Sequence, residues 1–159
     1  MLAMVPLGLI VLAGCGGGGG GSGDSTSMKT SAGLSRAEYI RRGDDLCRAF
    51  RKTSAPLNKQ IDQTNDPAEQ ARLLQEGADA LDKTLQGFDE LPKPNGDEKV
   101  LTDYLDLGRT NVVLVRRAAD ALDAGKAQEA TTLLQSGVAA SNRARGIAQS
   151  YGFKVCGSG

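Results

Sequence analysis

From Ser35 to Tyr151 the apolar residues recur every three or four positions, and this period limits what the chain can fold into more than any other feature. It is the period of one face of an α-helix, and a chain that holds it through four segments must bury four stripes against one another. The first segment opens on Ser35-Arg36-Ala37-Glu38, a capping box in which the Ser hydroxyl and the Glu carboxylate satisfy exposed amides reciprocally. Its stripe reads Ile40, Gly43, Leu46/Cys47, Phe50, Ser54, Leu57 and Ile61. Pro56 interrupts the segment, but the phase survives it, so one kinked helix to about Gln63 is expected. The second segment has the clearest start: Asp66 as N-cap, Pro67 in the first helical position and Glu69 in the third. Its stripe is Ala71, Leu74, Ala78, Leu81, Leu85 and Phe88, with Pro92 and Pro94 beyond. The third starts near Asn95 or Asp97, carries Leu101, Tyr104, Gly108, Val112, Val115, Ala119 and Leu122, and meets a terminator in Gly125. The fourth runs from about Lys126, with Ala130, Leu133/Leu134, Val138, Ser141, Ala144, Ala148 and Tyr151 on one side. Gly152 ends it, and Phe153 can pack back as the apolar partner of that cap.

Four such helices joined by short loops make an all-α, up-down-up-down antiparallel bundle over residues 35–157. Aromatic residues make up 4% of the chain, and Ala and Leu dominate its apolar content. Small and aliphatic side chains suit closely packed helices better than a β-sandwich.

The N-terminal region obeys different rules. Residues 2–12 carry no charge and are mostly Leu, Val, Ile, Ala and Met. The run is shorter than the about 20 residues that a membrane-spanning helix needs, and it has the length of a signal-peptide core. It ends in Leu12-Ala13-Gly14-Cys15, which resembles the lipobox of bacterial lipoproteins. The resemblance implies a signal peptide over residues 1–14, diacylglyceryl transfer to the Cys15 sulfur and cleavage between Gly14 and Cys15. Acyl chains of the palmitate type would then hold the protein on the outer side of the membrane, and two chains anchor stably where one is marginal. Residues 1–14 contain no Lys or Arg, although signal peptides open on a basic segment, so a start upstream of Met1 is expected. Residues 15–34 read as a tether. Six consecutive glycines at 16–21 are followed by Ser, Thr and Gly with almost no apolar content. A flexible coil of this length spans roughly 25 Å, enough to hold a domain clear of lipid headgroups.

With Cys15 lipidated, Cys47 and Cys156 remain, and only one pairing is open to them. The extracytoplasmic compartment that the lipobox implies favours disulfides. In an up-down bundle the end of the fourth helix meets the start of the first, so topology points to the same bond. There is no Cys-x-x-Cys, which argues against a redox pair, and no His to complete a metal site.

Catalytic chemistry is hard to place on this chain. It has no His and no Trp, so it lacks the commonest metal ligand and general base, and no Ser-His-Asp arrangement is possible. Asp44/Asp45, Asp79/Asp82 and Asp103/Asp106 lie at spacings typical of solvated helix faces, and no Glu-x-x-His motif accompanies them. The glycine run at 16–21 is not followed by the Lys-Ser/Thr of a phosphate loop. Basic residues recur as Arg41/Arg42, Arg48/Arg51, Arg116/Arg117 and Arg143/Arg145, but acidic residues are interspersed. With 19 basic against 19 acidic side chains there is no excess that would favour nucleic acid. No enzyme activity, catalytic residue, cofactor or metal is therefore expected. The whole resembles small lipid-anchored helical proteins with one cysteine in the first helix and one near the C-terminus. The expectation is a non-catalytic interaction module of the cell envelope, attached to the membrane through Cys15 and facing an envelope protein or wall component. The alternative is a carrier of a small apolar ligand in the bundle core, where Gly43 and Gly108 would leave room among small side chains.

Overall fold

The computed structural model describes residues 33–158. The expected signal peptide at 1–14, the lipidated Cys15 and the tether as far as residue 32 lie outside the described residues. Four helices follow in order: α1 (Arg36–Gln63), α2 (Pro67–Asp89), α3 (Glu98–Asp123) and α4 (Ala127–Tyr151). They form an up-down-up-down bundle in which α1 packs on α2, α2 on α3 and α3 on α4.

The helix ends follow the local chemistry of the sequence, with two departures. Ser35 Oγ accepts from the Glu38 amide at 3.2 Å, and Asp66 accepts from Ala68 with Pro67 in the first turn. The Glu38 carboxylate, expected to return to Ser35, instead takes Arg41 at 2.8 Å and Arg42 at 2.7 Å. Those two guanidinium groups, Arg41 foremost, pull its carboxyl down to about 2. Asp97 precedes α3 without capping it, because its carboxylate accepts the Tyr151 hydroxyl at 2.8 Å. Gly125 and Gly152 both take positive φ (70° and 110°), which only glycine adopts without strain. After Gly152 the Phe153 amide reaches back to the Ala148 carbonyl at 3.0 Å, and its ring turns into the core. α1 runs unbroken through Pro56, whose missing N–H removes one hydrogen bond without ending the helix.

The core is divided by residue size. At the end where α1 starts and α4 stops, five aromatic rings gather: Tyr39, Phe88, Tyr104, Tyr151 and Phe153, with neighbouring centroids 5.3 to 6.3 Å apart. At the other end Ala118, Ala121 and Ala130 pack with Leu122, Leu133 and Leu134, joining α3 to α4. Several buried positions fall beside the expected stripes. Tyr39, Leu73, Leu105 and Ala118 are buried, whereas Val138, expected inside, is 60% exposed. Gly137 takes the inward place because α4 lies so close to α3 there that a Cβ would stand 2.6 Å from Asn111 Oδ1.

The bundle has one incomplete seam. No Cα of α1 comes within 8 Å of a Cα of α4. Near the start of α1, Arg36 donates to the Tyr151 carbonyl at 3.0 Å, its guanidinium lies 4.3 Å from the Tyr151 ring centroid, and Tyr39 meets Tyr151 edge to face. Further along, the C-terminal tail fills the seam. Three consecutive amides, of Lys154, Val155 and Cys156, donate to the buried Asp44 carboxylate at 2.9, 2.8 and 3.1 Å. The Cys47–Cys156 disulfide sits one turn on, with a Cα–Cα distance of 5.3 Å. It closes a separation of 109 residues, worth about 4.7 kcal/mol on the chain-entropy account. The spacing of Asp44 and Asp45 predicts a solvated face for both. Only Asp45 is solvated, and it pairs with Arg41 and Arg48.

Two glycines test this packing by opposite signs. A Cβ on Gly43 would stand 2.5 Å from the Phe153 ring and 2.7 Å from the Phe88 ring, whereas one on Gly77 meets nothing within 4 Å. Gly43→Ala should lower stability by about 1–3 kcal/mol through overpacking. Gly77→Ala should raise it by up to ~1 kcal/mol through helix propensity. Urea unfolding midpoints measure both; shifts of the same sign would contradict the aromatic packing around Gly43.

Candidate functional site

Beneath the α1/α4 seam lies a cavity of about 300 Å³. All four helices and the tail contribute to it. Its apolar surface comes from Phe50 on α1, Leu81, Leu85 and Phe88 on α2, and Leu107 on α3. Thr84, Tyr104, Asn111 and Ser141 supply hydroxyl and amide groups. Arg51 on α1 and Arg145 on α4, both exposed, stand on its opposite sides. Among the described residues no Asp or Glu lines it.

The local causes are legible residue by residue. Past Cys47, α1 offers Phe50 as its inward side chain amid Arg48, Ala49, Arg51 and Lys52, so it has little apolar surface with which to reach α4. The facing stretch of α4 offers Ser141 and Ala144, side chains too short to cross the gap. Gly108 on α3 lies on the cavity wall, but Leu85 occupies the space its side chain would take, with Cδ2 2.7 Å from a Cβ built there. The space at Gly43 is likewise taken, by the Phe88 and Phe153 rings. The cavity thus arises from the short α4 side chains and the open seam, and not from Gly43 and Gly108.

The electrostatics around the cavity are one-sided. Arg51 donates to the carbonyl of Val155 at 2.6 Å and to the carbonyl and hydroxyl of Ser158. Arg145 reaches only Asn142 of its own helix, at 3.3 Å. Neither forms an ion pair among the described residues, nor do Arg117 and Arg143, whereas Arg36, Arg41, Arg42, Arg48, Arg72, Arg109 and Arg116 all do. The Tyr104 hydroxyl has one polar neighbour, the Cys47 sulfur at 3.9 Å, and that sulfur is half of the disulfide. Burial pushes the Tyr104 phenol up to about 12, helped by the charge on Asp44, so it stays a neutral donor.

The other candidate groups resolve into structure. Asp79 and Asp82 both receive Arg116 from α3, at 2.9 and 3.3 Å. Asp103 pairs with Lys99, and Asp106 pairs with Arg109, which also bridges to Asp89. Among the described residues no group of three or more His, Cys, Asp or Glu side chains could hold a metal ion. No described helix is long and apolar enough to cross a membrane. No protein-family model, no curated protein and no solved structure matches the chain.

The aromatic cluster beside the cavity predicts an alkaline limit to stability. Burial, reinforced by the charges of Tyr104 and Asp89, pushes the Tyr39 phenol up to about 12. Tyr151 is also pushed up, first by burial and then by its bond to Asp97. An unfolded tyrosine ionises near 10. Because the folded values are raised, this stabilisation is fully present below about pH 10 and is lost as the pH climbs toward 12. Absorbance of tyrosinate at 295 nm should therefore rise together with loss of helical circular dichroism in that window. Ionisation of all three tyrosines near pH 10 with the helices intact would contradict the burial of their phenols.

Proposed function

We propose that this is a lipid-anchored, extracytoplasmic, non-catalytic binding protein of the cell envelope whose bundle carries a small apolar ligand. Two features support the reading. Leu12-Ala13-Gly14-Cys15 follows an uncharged apolar run in the arrangement of a lipobox, which supports anchoring through Cys15 with the bundle carried on a glycine-rich tether. The observation that carries the ligand reading is the cavity of about 300 Å³ among Phe50, Leu81, Leu85 and Leu107, opening between α1 and α4. Concave, mostly apolar space with a few convergent polar groups is the ordinary form of a small-molecule site, and this volume lies at the lower end of its range.

The cavity favours a ligand over a protein or wall partner. Large apolar side chains that remain exposed among the described residues are Val113 and Val138. Isolated exposed residues of this kind are usual on any soluble surface and fall short of the contiguous patch of a protein interface.

Anchoring and carriage are tested together. In its own host the protein should fractionate with membranes, and Cys15→Ala should move it to the soluble fraction. Native mass spectrometry of protein purified from that host should show an added small-molecule mass. Retention of Cys15→Ala on membranes would overturn the anchor, and a bare polypeptide mass in every preparation would count against the carrier.

A further inference from the structure

We propose that the cavity selects a single-chain amphiphile with an anionic head: an apolar body of about ten heavy atoms between α1 and α4, and a carboxylate or phosphate head held at the mouth by Arg145 and Arg51. The inference rests on the carrier reading and adds to it the charge, size and orientation of the ligand.

The charge argument begins with what surrounds the cavity. The chain carries 19 basic and 19 acidic side chains, so a site of random composition would mix the two signs. Among the described residues this site is lined by two guanidinium groups and no Asp or Glu side chain. Seven other arginines pair with acidic residues at short range, as Arg116 does with Asp79 and Asp82, while Arg117 and Arg143, which do not line the cavity, have no such pair among the described residues. Arg145 is left with a side-chain amide, that of Asn142, as its partner, and a guanidinium beside an apolar opening attracts a planar, two-oxygen anion. Arg51 is held by the carbonyls of Val155 and Ser158, so its position across the seam from Arg145 is fixed by the same tail that Asp44 and the disulfide clamp. Fixing one of the two groups in advance lowers the ordering cost of binding.

The size argument follows from the volume. At about 30 Å³ per water-sized group, a cavity of about 300 Å³ admits about ten such groups. An apolar chain suits a space lined by Leu81, Leu85 and Leu107. Tyr104, Thr84 and Asn111, which also line the cavity, are neutral, so no second charge on the ligand is called for. The ligand chemistry is that of a single-chain acid, whether a free fatty acid or a singly acylated lipid fragment with an acidic head.

Calorimetric titration of the full chain carrying Cys15→Ala tests this with three ten-carbon probes: decanoate, decanol and decyltrimethylammonium. Decanoate should bind at least about tenfold more tightly than decanol, and the cation should not bind measurably. Arg145→Ala should weaken decanoate roughly tenfold, a change of about 1.4 kcal/mol, and leave decanol unchanged. Raising the salt should weaken decanoate alone. Ala144→Phe, which fills the cavity from α4, should abolish both. Circular dichroism melts should keep the two variants within a few degrees of the parent. A singly acylated phosphate with a ten-carbon chain separates the two sources: preference for it over decanoate selects the lipid fragment, and preference for decanoate selects the free acid. Equal binding of decanoate and decanol, both lost in Ala144→Phe, would overturn the anionic selectivity and leave the carrier reading standing. Binding that survives Ala144→Phe, or no binding of any probe, would overturn the carrier reading as well.

Discussion

The contact on which the rest depends is the one between Asp44 and the three amides that follow α4. A four-helix bundle ordinarily closes by packing its first helix on its last. Here α1 and α4 stay apart, and a short irregular tail does the joining. A tail without secondary structure has amides to satisfy, and a buried carboxylate needs donors. Each requirement answers the other when Asp44 accepts from Lys154, Val155 and Cys156 together. Hydrogen bonds to a charged group are worth about 1.5–3 kcal/mol each, and loss of the acceptor would strand three donors at once. Phe153 on one side of this contact and the disulfide on the other tie it to the aromatic cluster and to α1.

This way of closing the bundle leaves a cavity. Had α4 carried leucines in place of Ser141 and Ala144, the helices could have met along their length and filled the space. Instead the tail spans the seam at the disulfide, and the stretch beyond remains open between Arg51 and Arg145. Structure and proposed function therefore share one origin. The small side chains of α4 that weaken the core also make room, and the clamp that compensates for them holds one of the two guanidinium groups at the opening.

Much of the fold is legible in the sequence. The 3.6-residue period, the Asp66-Pro67 start and the glycines at 125 and 152 give four helices within a residue or two of their ends. The cysteine count, once Cys15 is set aside, gives the disulfide that is present. Legibility failed where burial depends on more than apolar character. Asp44 is polar and sits next to a visibly solvated Asp45, so periodicity and composition both assign it to the surface; its donors lie 110 to 112 residues away. Val138 and Gly137 exchange roles because the closeness of α3 and α4, which no stripe encodes, decides which of the two fits inside. The candidate site was legible only as a suggestion of room among small residues. Gly43 and Gly108 drew attention, while Ser141, Ala144 and the open seam form the space.

Hydrogen exchange of the Val155 and Cys156 backbone amides tests the central claim most directly. Both lie in a tail with no helix or strand, so without the Asp44 carboxylate they would exchange at nearly the rate of a free peptide. The account predicts protection close to that of the slowest amides in α2 and α3, because releasing the tail means opening the bundle. Exchange of these two amides at free-peptide rates, with α2 and α3 still protected, would contradict it.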